Sequence, residues 1–162
     1  MSLNFNSSLS WQLQVALTPF QPLNQGMDNI GFNAANVDIT VINQIFVESF
    51  TLAGSATQTL DMTSLTNLVG ESVDFSAVYL ISVTNGGTTD GNLLIQPGAS
   101  NPLVWFFNGS SQGINLQNGD GFSLMNNLSG SGYTVSSTVK TLLFTNTGAN
   151  STTFELGIVG AT

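Results

Sequence analysis

The chain has 162 residues with a single side-chain cation, Lys140, nine carboxylates, no His and no Cys, and a formal net charge of −8. Only 6% of its residues are charged, against about 25% in an ordinary soluble domain. Without Cys there is no disulfide framework, thiolate nucleophile or zinc–cysteine site, and without His the commonest general base and transition-metal ligand are missing. No donor set remains for neutralising phosphates or reading bases, so nucleic acid is excluded as a direct partner. Anionic membrane surfaces are disfavoured on the same ground.

Hydrophobic residues make up 41% of the chain, Phe occurs eleven times, and Asn, Ser and Thr together supply 55 positions. Polarity therefore comes from neutral side chains. The apolar content is too high for a disordered chain, and a domain of this length buries roughly 70% of its unfolded surface, enough for one substantial core. The first twenty residues contain neither a basic region nor a continuous apolar run, so no signal peptide is expected. No stretch approaches the roughly 18 apolar residues of a membrane span.

In chain order the pattern is β throughout. Leu9, Trp11, Leu13, Val15 and Leu17 alternate with polar or small residues as one strand. Pro19, Pro22 and a polar stretch to Asn36 then read as a long loop, so residues 1–36 form a strand plus loop suited to an inter-subunit arm. From Val37 to Leu52 the apolar positions run as Val37, Ile39 and Val41, then Ile42, Phe46, Phe50 and Leu52. The change of phase near Asn43 predicts a bulge or bend. A short strand is expected over Thr57–Met62 and a turn of helix over Thr63–Gly70. Val73, Phe75, Ala77, Tyr79, Ile81 and Val83 alternate through six positions as the clearest strand, ended by Asn85-Gly86-Gly87.

Further strands are expected around Leu93–Ile95, as a buried run over Leu103–Phe107, and around Ile114–Leu116, Phe122–Leu124, Tyr133–Val135, Leu142–Phe144 and Phe154–Ile158. Turn signals recur about every 8–12 residues, the spacing of an antiparallel sandwich or barrel. The expected fold is an all-β, antiparallel β-sandwich of eight to ten strands with minimal helix, a single jelly roll in preference to an immunoglobulin-like sandwich. No shift of composition marks a second domain.

Each chemically suggestive residue has a plain structural reading beside it. Asp90 and Asp120 lie in Gly/Asn loops that offer oxygen atoms to Ca²⁺. Each supplies only one carboxylate, and Asp-Gly is also the residue pair of turns with positive φ. Glu48, Asp74 and Glu155 alternate with apolar neighbours and are expected to face solvent, not to pair as glycosidase carboxylates. Trp11, Trp105, Phe106 and Phe107 are the candidates for a ligand platform or an interface, against a core role. The sequons at Asn6, Asn108, Asn127 and Asn150 match the number that chance gives for this composition. Lys140 is expected at a solvated edge, paired with a carboxylate across a subunit contact. No catalytic residue, cofactor or metal is expected.

Isolated sandwiches guard their edges with charge and Pro, and this chain has few of either. Neutral segments such as LVWFF and TLLFT are hazards on a free monomer and suit a permanent assembly. The pattern from residue 78 onward points the same way. Asn85-Gly86, Pro97-Gly98, Gly132-Tyr133-Thr134-Val135, Leu142 to Gly148 and Gly157 to Thr162 together resemble small virion proteins of bacterial viruses. That resemblance implies a coat or head-decorating shell component that assembles with itself as trimers or larger oligomers and with other virion proteins. It also implies a virion location after synthesis in the host cytoplasm. The deficit of cations disfavours a genome-facing surface and turns this expectation toward decoration. Two rival expectations remain, a carbohydrate-binding module or adhesin and a filament subunit joined by exchanged strands.

Overall fold

The structure, a computed structural model, describes residues 42–86, 91–126 and 131–162. The expected N-terminal strand and long loop, Trp11, Asp90, Asn6 and Asn127 lie outside these residues. Within them the chain is all β. The strands are β1 (Gln44–Leu52), β2 (Thr57–Asp61), β3 (Leu65–Thr66), β4 (Ser72–Val73), β5 (Ala77–Asn85), β6 (Leu93–Pro97), β7 (Ile114–Leu116), β8 (Gly121–Met125), β9 (Tyr133–Thr134), β10 (Thr141–Asn146) and β11 (Thr152–Ala161).

Two antiparallel sheets face each other. One runs β1-β11-β5-β8, with β9 also pairing β5, and the other runs β2-β10-β6-β7. Setting the two-residue strands aside, the pairs nest: β1 with β11, β2 with β10, β5 with β8, β6 with β7. Apart from β6 and β7, which pair with each other, chain neighbours among these eight strands therefore lie in opposite sheets. The turns at 53–56, 117–120 and 147–151 each cross from one sheet to the other at one end of the sandwich, where β5 also ends in one sheet and β6 begins in the other.

Period-2 alternation sends one face of each strand inward. From the larger sheet come Phe46, Phe154, Leu156 and Ile158, and from the smaller come Leu60, Ile95, Leu142 and Phe144, all in one buried cluster. Phe144 and Phe154 stack across the interface with centroids 4.8 Å apart. Each such fully buried side chain contributes about 1.5–3 kcal/mol relative to exposure. In β5 the register skips Tyr79, since Val159 opposes Leu80 while Gly160 opposes Val78. This bulge reverses the phase, so Val78 on one side and Ile81 and Val83 on the other all reach the core. Gly160 sits at the bulge, where a Cβ would overlap the Ala77 carbonyl and the Phe75 ring.

Two buried asparagines fasten the crossing turns. Asn146 Nδ2 donates to the carbonyls of Leu52 at 3.1 Å, Ala53 at 3.0 Å and Asn150 at 2.7 Å, while its Oδ1 accepts from the Gly148 N–H at 2.9 Å. Asn85 Nδ2 donates to the carbonyls of Gly91 at 2.7 Å and Leu116 at 3.0 Å, and its Oδ1 accepts from Thr152 Oγ1 at 2.6 Å. The Ala53 carbonyl also accepts from the Ala56 N–H at 3.0 Å, and a buried carbonyl left without any donor costs about 1–3 kcal/mol.

Several expectations need correction. Thr63–Gly70 forms no helix but the β3–β4 hairpin. The Asn67 Oδ1 accepts from the N–H groups of Val69 and Glu71, at 3.1 and 2.8 Å, and fixes the tip with Gly70 at φ +82°. Val73–Val83 is interrupted at residues 74–76, where the Phe75 N–H donates to the Met62 carbonyl and the Ser76 N–H to the Ala161 carbonyl. Leu103–Phe107 is no strand: Pro102 makes an isolated bridge to Thr141, and a turn then closes from the Phe107 N–H to the Val104 carbonyl. The strands number eleven among the described residues, three of them only two residues long.

Lys140 is not at an edge. Its backbone N–H donates to the Asn101 carbonyl and its carbonyl accepts from Met62, on the two sides of the smaller sheet's lead-in. Its ammonium pairs with Asp61 of the same chain at 2.6 Å.

Candidate functional site: a cleft between the first two strands

The edges of β1 and β2 lie on the same side of the sandwich, joined by the turn at 53–56. Between them opens a cleft of about 340 Å³ lined by Phe46, Glu48 and Phe50 from β1, and by Gln58, Leu60 and Asp61 from β2, with Ser64–Thr66 at one end. The volume lies at the small end of ligand pockets.

Glu48 decides the chemistry of this cleft. Its register partner is Leu156, and those of Phe46 and Phe50 are Ile158 and Phe154, all core residues. Glu48 thus faces inward between two phenylalanines, not outward as the local alternation suggested. Burial disfavours its charged form and raises its carboxyl above the usual glutamate value of 4.5, against a partial offset from a hydrogen bond with the Ser49 backbone. The signal was present in the sequence, because Glu48 shares the parity of Ile42, Phe46, Phe50 and Leu52.

Asp61 has the opposite electrostatics. Burial is the largest single influence and would raise it, but the Lys140 ammonium and the Thr63 donors together outweigh this. The Thr63 N–H and Oγ1 lie 2.9 and 2.7 Å from Asp61 Oδ1. Asp61 is therefore held below its usual value of 3.8 and stays ionised. Glu155 lies on the outer face of β11, where burial raises its carboxyl, and Asp74 is exposed.

The aromatic candidates gather elsewhere, in the long connection between β6 and β7. Trp105 stacks on Tyr133 at 5.1 Å and donates from Nε1 to the Thr134 carbonyl at 2.8 Å. Phe106 tilts against Phe107 at 4.2 Å and Phe122 at 5.3 Å. Trp105, Phe107 and Phe122 all pack on the core, each half-buried. These rings pack on one another and on the core, and each keeps part of its surface exposed.

Asp120 serves its own turn. Its Oδ2 accepts from the Gln117 N–H at 2.9 Å, its carbonyl accepts from the Asn85 N–H at 2.9 Å, and Gly119 takes φ +83°. The turn joins β7 to β8, which lie in different sheets, so it is a corner between sheets and not a hairpin. Among the described residues no three His, Cys, Asp or Glu side chains gather as a metal site. No helix among them is long and apolar enough to cross a membrane.

The fold and the cleft together define an all-β sandwich protein. No family model matches the chain, and no curated protein matches it. Three solved structures show its distant likenesses. A de novo designed double-stranded β-helix is 8% identical with a TM-score of 0.39, covering 69% of this chain and 96% of its own. PirA is 13% identical with a TM-score of 0.40, covering 72% and 95%. A Bacillus endospore appendage protein, from a family of disulfide-linked pili, is 11% identical with a TM-score of 0.35, covering 74% and 91%.

Proposed function

We propose that this chain is a non-enzymatic structural subunit of a viral particle, a capsid or capsid-decorating jelly roll that assembles through neutral interfaces. The nested pairing of the eight longer strands supports the jelly-roll reading: first with last, second with seventh, third with sixth, fourth with fifth.

The observation that carries the assembly reading is where charge is missing. Asp61 is the single charged residue in the four strands of the smaller sheet, and Lys140 neutralises it. The edge strands β7 and β8, INL and GFSLM, carry no charge at all. Such edges template pairing with another chain. The β3–β4 tip adds an apolar knob, with Leu68 50% and Val69 70% exposed on a turn fixed by Asn67. Contacts of this kind avoid the desolvation of buried charge and depend little on salt.

The mass of the native assembly tests this reading, and a glycan array separates it from the carbohydrate-binding alternative. A closed oligomer without glycan affinity supports it. Glycan binding by a monomer overturns it.

A further inference from the structure

We infer that the cleft between β1 and β2 receives a basic side chain, a guanidinium in preference to an ammonium, from a different protein. Glu48 projects inward from an edge strand into a cleft of about 340 Å³, flanked by Phe46 and Phe50 and facing Gln58 and Leu60 on β2. A carboxylate in such surroundings is stabilised by a cation brought to it. No side chain of this protein supplies one, because Lys140 is its only lysine or arginine and is bound to Asp61 at 2.6 Å. A second copy has the same single cation in the same ion pair. The complement must therefore come from another molecule, and the net charge of −8 draws basic partners.

Shape narrows the choice. Phe50 is half-buried and lines the cleft, while it stacks on Phe154 at 5.1 Å, so it forms a firm aromatic wall. A planar guanidinium can lie on a ring while donating two parallel hydrogen bonds to a carboxylate, which an ammonium cannot. The Gln58 amide lines the same space. Among the described residues β1 is the outer strand of its sheet, which gives the partner's backbone a strand to lie against. This inference stands on the cleft and the charge inventory, and its failure leaves self-assembly untouched.

The test is titration of the isotopically labelled full chain with n-butylguanidinium, n-butylammonium and glucose, followed through backbone amide shifts. The expected result is a saturable shift of amides in Phe46–Phe50 and Gln58–Asp61 with the guanidinium and a weaker one with the ammonium. Glu48→Gln, which keeps the side-chain shape, should bind the guanidinium about fivefold more weakly, with an unchanged spectrum elsewhere showing that it folds. An absent shift, an equal response in Glu48→Gln, or glucose shifting the same amides would each overturn the inference. The last would make the cleft a sugar site.

Discussion

Asn146 shows how much a single neutral side chain does in a protein with almost no charges. Three carbonyls from two turns converge on its Nδ2, so Asn146→Ala should cost about 2–4 kcal/mol. Urea unfolding would measure that, with Asn115→Ala on the exposed face of β7 staying within about 0.5 kcal/mol. Among the described residues, two carboxyls give stability a pH dependence above 4.5. Glu48 and Glu155 are both raised above 4.5 by burial, so between that value and their folded values the native chain holds more protons than the unfolded one. Stability should therefore rise as pH falls from neutral toward 4.5, and the double variant Glu48→Gln/Glu155→Gln should flatten that limb. Asp61 has the reverse sign: its contribution is present above the unfolded value of 3.8 and is lost as pH falls through its lower folded value. Unfolding midpoints across that range would show the rise and then the fall.

At the scale of elements, alternation in the sequence reports which face of a strand is apolar but not which strand pairs with which. Most short strands, such as Leu93–Ile95 and Phe154–Ile158, were legible from period 2 and their flanking Asn-Gly and Pro-Gly turns. The nested pairing was not, because it joins residues as far apart as Phe46 and Ile158. Leu103–Phe107 has strand composition, yet tertiary packing overrides it: Trp105 and Phe107 pack on the core and Phe106 lies against Phe122 of β8. Glu48 reads as solvent-facing from its immediate neighbours, Val47 and Ser49, whereas the apolar series two residues away on each side, Phe46 and Phe50, places it inward. Asn67 was missed as a turn fastener because an amide acts there through geometry that composition does not display. The same topology sets the order of local opening. Amides of β5, β10 and β11, each paired on both sides, should exchange slowest with solvent, and those of the β3–β4 hairpin and of β7 fastest. Hydrogen exchange followed by NMR would read this directly, and protection of β7 equal to that of β5 would contradict it.

Over the whole molecule, the charge deficit becomes an arrangement. Among the described residues, carboxylates stand in turns and loops, in the cleft and on the outer face of β11, while the smaller sheet, with Asp61 paired to Lys140, and the strands β7 and β8 are left neutral. Strand edges such as β7 and β8 carry no charge to guard them in a free monomer, and a symmetric oligomer covers such edges. A filament would use the same edges without closing, and an adhesin would not need them covered. The mass of the intact assembly separates these cases most directly. Native mass spectrometry of the purified chain at micromolar concentration should give one closed oligomer, a trimer or larger, with the same stoichiometry in low and high ammonium acetate. A monomer that stays soluble under both conditions would contradict assembly as the role of this chain.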